Sequence, residues 1–83
     1  MWFVYILRCK DGSLYTGITT DLSRRIEEHR SGIGAKYTRS HQVDECVHTE
    51  EFPSRAEASK REAEIKRWKR ERKLALIETG MSA

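Results

Sequence analysis

Residues 2–18, WFVYILRCKDGSLYTGI, hold two runs of aromatic and β-branched side chains around the turn-forming CKDGS. Such runs bounded by a D-G dipeptide predict strands over 2–8 and 14–18, joined as a hairpin. The pairing register decides which side chains meet, because successive residues of a strand face opposite ways. A two-residue turn at Asp11-Gly12 pairs Lys10 with Ser13 and sends Tyr5 and Tyr15 to opposite faces. A three-residue loop, with a type I turn at Lys10-Asp11 and Gly12 left-handed, pairs Cys9 with Ser13. Tyr5 then opposes Gly17, Tyr15 opposes Leu7, and both tyrosines share one face. D-G suits either turn, so local chemistry leaves both open.

Beyond the hairpin, Thr20 or Asp21 can cap a helix that runs to His29 or Arg30 and stops before Gly32. Leu22 and Ile26, with the aliphatic part of Arg25 or His29, define its inner side. Residues 31–43, SGIGAKYTRSHQV, have no clear period and read as a loop. ECVHTEEF, 45–52, predicts a third strand. Ser54 and Glu57 form a capping box, so a helix starts near Arg55 and should continue through Trp68. KRERKLALIETG is helical again and stops at Gly80. Pro53 falls between strand and helix, where it breaks nothing. The order β-β-α-β-α-α implies an α+β fold, a small three-stranded, mostly antiparallel sheet flanked by helices.

With 83 residues, residues 1–83 make one domain with a small core. Apolar residues make up 37% and charged residues 35%, a polar but foldable composition. The net charge of +3 is compatible with a nucleic-acid partner without requiring one. The N-terminal apolar run has no basic region before it and is cut by Arg8 and Lys10, unlike a secretory signal. No run reaches membrane-spanning length, so no membrane role is expected. Cys9 and Cys46 lack a metal-binding or redox spacing and read as reduced thiols of a cytoplasmic protein.

Arg25 and His29 are four residues apart and share a helix face. Their helix begins just after the strand bearing Tyr15 and Gly17, and Gly17 removes a side chain where other groups can approach. Arg25 offers a planar, permanently charged fork suited to phosphate; the plainer alternative is a solvated helix arginine. For His29 the plainer alternative is a helix-end histidine favoured by the dipole. Ala58, Glu62 and Ile65 recur at i, i+4 and i+7, which puts Glu62 on an inward stripe. A carboxylate there needs a partner. The choice is an ion pair with Lys66 or an arginine, or a hard cation, which prefers oxygen ligands. Together these residues supply what phosphodiester hydrolysis uses: hydroxyls to order or deprotonate water, an arginine for developing charge, and a carboxylate for a metal.

The set resembles the GIY-YIG nuclease superfamily. The first motif stands here as FVY, 3–5, and the second as YTG, 15–17; DLSRRIEEH and SKREAEIKRW follow at matching distances. Nearly the whole chain is similar to the small stand-alone bacterial branch, the UPF0213-like predicted endonucleases. The resemblance implies Tyr5, Tyr15, Arg25, His29 and Glu62 as catalytic residues, with Glu62 holding one divalent cation, Mg²⁺ or Mn²⁺. It implies a metal-dependent endonuclease that hydrolyses DNA phosphodiester bonds, acting on structured or damaged DNA in repair or recombination. Phe3 stands where the first motif has glycine and Thr16 where the second has isoleucine. Ile18 follows YTG where repair-type members carry lysine, and the asparagine that some members place near the C-terminus has no match. The separate DNA-binding domain of larger members is absent, which leaves room for a protein partner that supplies specificity. The alternative is a non-catalytic nucleic-acid-binding module that acts with a partner.

GIGAKYTR, 32–39, lacks the Walker A spacing, so no nucleotide cofactor is expected. It reads either as a plain solvated loop or as a backbone-tracking segment. In the second case Lys36 and Arg39 supply charge and Tyr37 stacks on a base. Lys66, in the basic stretch KREAEIKRWKRERK, is a further candidate DNA contact, although a solvated face is the default for such interleaved charge.

Overall fold

The computed structural model describes residues 1–34 and 36–80, without the side chain of Arg39. Strands β1 (Trp2–Cys9) and β2 (Leu14–Thr19) form the hairpin. The three-residue loop is the one adopted. Cys9 N–H donates to the Ser13 carbonyl at 2.8 Å, Gly12 N–H donates to the Cys9 carbonyl at 2.9 Å, and Gly12 has φ 86°. A β-carbon makes that φ costly, which is why glycine serves there. The Asp11 carboxylate accepts from the backbone and the hydroxyl of Ser13, which fastens the turn. Tyr5 therefore pairs with Gly17, and Leu7 with Tyr15.

Strand β3 (Val43–Phe52) pairs antiparallel with β1 on its other side, giving the sheet order β2-β1-β3 with every pair antiparallel. It begins two residues before the predicted ECVHTEEF. Central β1 is buried almost continuously, because both faces of the sheet are covered. On one face Val4 and Ile6 pack with Ala58, Ile65 and Leu76. On the other, Tyr5, Leu7 and Val43 pack with Tyr15, Leu22, Ile26 and Cys46.

Helix α1 (Leu22–Arg30) is capped by Asp21, whose carboxylate accepts from Arg24 N–H at 3.1 Å. Its inner side is Leu22, Ile26 and His29, which is fully buried. Residues 31–43 are not all loop: a short helix α2 (Lys36–His41) lies within them. No sequence period marks it, because one and a half turns are too few to show one. It is held from outside: His41 Nδ1 meets the Asp11 carboxylate at 2.7 Å, and Lys10 N–H donates to the Gln42 carbonyl at 2.9 Å. The order is thus β-β-α-α-β-α-α, one helix more than predicted.

Helix α3 (Arg55–Lys66) starts at the Ser54 cap, but ends two residues before Trp68. Helix α4 (Arg70–Thr79) follows and ends at left-handed Gly80. Trp68 packs against the core in the break, with the guanidinium groups of Arg61 and Arg72 at 5.0 and 4.1 Å from its ring. No helix among the described residues is long and apolar enough to cross a membrane. Cys9 and Cys46 are free thiols.

Candidate active site

The hairpin register puts Tyr5 and Tyr15 side by side, with ring centroids 6.4 Å apart. Gly17 makes this possible: a β-carbon there would lie 2.5 Å from the Tyr5 hydroxyl oxygen and 3.2 Å from the Tyr15 ring. Helix α1 then brings His29 over both rings, at centroid distances of 5.8 and 5.1 Å. His29 Nε2 lies 2.8 Å from the Tyr5 hydroxyl. One turn earlier on the same helix, Arg25 donates to Glu28 at 3.0 Å, and its charge acts on the Tyr5 hydroxyl. Its side chain remains 33% exposed, enough to meet a ligand. Arg25 lines a surface pocket with Thr19, Thr20, Asp21, Arg24 and Glu28.

Burial sets the electrostatics. It pushes the Tyr5 hydroxyl up to about 12, with the Tyr15 and Glu62 charges acting in the same direction and Arg25 opposing them. Tyr5 is therefore a phenol at neutral pH. Burial, and then the Arg25 charge, lower the His29 pKa and favour the neutral imidazole. The helix-end dipole explanation of this histidine predicts the reverse, because a dipole at that end favours the cation.

Glu62 is positioned by α3 between buried Ala58 and Ile65, as the stripe requires. It is not sealed in the core: its side chain is 22% exposed and pairs with Lys66 Nζ at 3.3 Å. Of the two expectations for this residue, the Lys66 ion pair is the one in contact, and the Glu62 charge also acts on Tyr5. The described residues contain no cluster of three or more His, Cys, Asp or Glu side chains suited to a metal.

The proposed DNA contacts are more scattered. Lys36 is exposed at the start of α2. The Arg39 side chain lies outside the described residues. Lys66 is half exposed and engaged with Glu62. Tyr37 is 38% exposed, but its ring already stacks with Tyr15 at 5.8 Å and with His41 at 4.2 Å. A base would have to displace or extend that stack.

Two residues of the site were not singled out by the sequence. Glu28 pairs with Arg25, and its i+3 spacing was a usable signal. Thr38, fully buried, meets His29 Nδ1 at 2.6 Å, and nothing local pointed to it.

A family model of the GIY-YIG catalytic domain matches residues 1–75. The chain belongs to the GIY-YIG family. Membership implies a nuclease. Similar chains include a UPF0213 protein of Staphylococcus saprophyticus, 49% identical over 94% of this chain and 95% of that one. Another is a UPF0213 protein of Haloquadratum walsbyi, 53% identical over 94% and 88%. The solution NMR structure of a UPF0213 protein from Bacillus halodurans superimposes with a TM-score of 0.61 at 51% identity, covering 95% of this chain and 85% of that one. The fold is thus the GIY-YIG-like α+β arrangement expected from the hairpin motifs.

Proposed function

We propose that this GIY-YIG chain is a divalent-metal-dependent endonuclease that hydrolyses DNA phosphodiester bonds, with structured or damaged DNA as its substrate class. The observation that carries the reading is the buried Tyr5–His29 hydrogen bond one helical turn from Arg25, which itself lines an open surface pocket. Arg25 contacts the scissile phosphate and stabilises the charge that develops on it, which acts mainly in the transition state. Tyr5 takes a proton from the attacking water while passing its own to His29 Nε2. A phenol held near 12 is a poor base alone, and the neutral imidazole behind it makes the transfer feasible. Tyr5 is buried, so this relay opens to water as Arg25 turns onto the phosphate. His29 then returns its proton to Tyr5 while Tyr5 gives one to the leaving oxygen, which resets both groups. Tyr15 forms the wall against which Tyr5 and His29 are held.

A single partly exposed carboxylate suits a hard cation that keeps several waters and shares substrate phosphate oxygens. Glu62 would hold Mg²⁺ or Mn²⁺, which would supply Lewis-acid stabilisation of the phosphate. Lys66, freed from Glu62, would then be available to DNA beside Lys36, Tyr37 and Arg39. A protein partner would supply what sequence specificity the small surface lacks, and the cytoplasm suits the two reduced thiols.

The test is a cleavage screen of linear, nicked, flapped and four-way DNA with Mg²⁺ and Mn²⁺, beside Glu62→Gln and Arg25→Ala. Metal-dependent cleavage lost in both variants is the expected result. Wild type that binds these DNAs and cleaves none would replace the reading with that of a binding module.

A further inference from the structure

We infer that Thr38 is a positioning residue: its hydroxyl oxygen accepts the Nδ1 proton of His29 and so fixes the imidazole tautomer whose Nε2 lone pair faces the Tyr5 hydroxyl. The consequence for rate rests on the nuclease reading above; the tautomer itself rests on geometry.

His29 and Thr38 are each 1% exposed, so their contacts are made within the protein. A neutral imidazole has one N–H and one lone pair. Nδ1 meets Thr38 Oγ1 at 2.6 Å and Nε2 meets the Tyr5 hydroxyl at 2.8 Å, so the two bonds run in one of two directions. The Tyr5 hydroxyl decides between them. It is 1% exposed, and its hydrogen bond among the described residues is the one to His29 Nε2. Tyr5 keeps its own proton to give, and His29 Nε2 is the acceptor in reach. The imidazole proton therefore sits on Nδ1 and goes to Thr38. A threonine hydroxyl suits this, since its oxygen has lone pairs with which to accept. The run is Tyr5 to His29 to Thr38, each donating to the next.

The surroundings hold the acceptor in place. A β-carbon at Gly34 would lie 2.5 Å from His29 Nδ1, so the segment leading into α2 is pressed against the same nitrogen. The far end of α2 is tied to the hairpin turn through His41–Asp11 and Gln42–Lys10. The β1–β2 turn thereby helps to set the position of Thr38, and Thr38 sets the proton of the imidazole that serves Tyr5.

The experiment compares wild type, Thr38→Ser and Thr38→Val, the last a near-isostere without the hydroxyl. Long-range ¹H–¹⁵N spectra read the His29 tautomer, and single-turnover cleavage reads the rate. Expected are the Nδ1–H form in wild type and Thr38→Ser, a shift toward Nε2–H in Thr38→Val, and a rate loss of about tenfold or more in Thr38→Val that serine restores. Wild type in the Nε2–H form overturns the inference whether or not any variant folds. Folded Thr38→Val with unchanged tautomer and rate overturns it too. Wild type that cleaves nothing but holds Nδ1–H, lost in Thr38→Val, supports the tautomer assignment and overturns the nuclease reading instead.

Discussion

Tyr5 lies across Gly17 so closely that a β-carbon at residue 17 would sit 2.5 Å from the Tyr5 hydroxyl oxygen. Gly17→Ala must displace the tyrosine, because the other side of that ring meets packed neighbours. Overpacking of this kind costs about 1–3 kcal/mol. The expected variant is folded, with a lower melting temperature, and its cleavage falls by more than the loss of folded protein explains. A thermal melt and a single-turnover assay on one preparation check it.

Glu62→Gln separates the two roles left open for that carboxylate. Its pair with Lys66 is surface-exposed on the lysine side, and such pairs contribute about 0–1 kcal/mol. The melting temperature should therefore barely move while metal-dependent cleavage is abolished. DNA binding should be kept or strengthened, since a negative charge near phosphate is gone. Cleavage that merely follows the folded fraction would return Glu62 to its ion pair.

Arg25→Ala should lower the single-turnover rate about a hundredfold, the roughly 3 kcal/mol that one charge-stabilising contact supplies in the transition state. Arg25→Lys should recover little, because an ammonium cannot reproduce a planar fork that holds Glu28 and suits phosphate together.

His29 makes stability depend on pH. It faces Tyr5 from β1, Tyr15 from β2, Arg25 and Glu28 from α1 and Thr38 from α2. Burial and Arg25 lower its pKa in the folded state, with Glu28 opposing. As pH falls below the unfolded value of about 6.5, the unfolded chain takes up a proton that the folded chain resists. The contribution of His29 is thus full above that value and is lost on acidification toward the lower folded pKa. NMR titration should place the His29 midpoint below those of free histidines. The fall in melting temperature from about pH 7 to pH 5 should be smaller in His29→Gln.

Lys36→Ala with Arg39→Ala should weaken binding to all DNA sequences alike and flatten the salt dependence. Phosphate contacts release counterions whatever the base. Binding measured between about 50 and 200 mM salt decides this, and unchanged affinity would return both residues to a solvated face.

The elements that make the fold were legible where they were long or chemically marked. The hairpin announced itself by β-branched and aromatic runs, α1 and α3 by their Asp21 and Ser54 caps, and α4 by its stop at Gly80. Helix α2 was not, because six residues held from outside by Asp11 and Lys10 carry no period of their own. The residues of the candidate site were legible as a set, from their types and spacing. Thr38 was not, since a threonine nine residues beyond His29 is unremarkable until α2 folds back.

The sequence by itself determined that two strands meet at CKDGS, that Arg25 and His29 share a helix face, and that Glu62 rides an inward stripe. These are consequences of the periods of strand and helix, which are local. It left undecided which face Tyr5 and Tyr15 occupy, because D-G fits turns of either length. Only the tertiary structure decided that. With Gly12 at positive φ, β1 and β2 pair so that Tyr5 opposes Gly17 and shares the face of α1. A slip of one residue would have turned Tyr15 away from His29, and what prevents it is the burial of Leu7, Val43 and Tyr5 on one face and Val4 and Ile6 on the other.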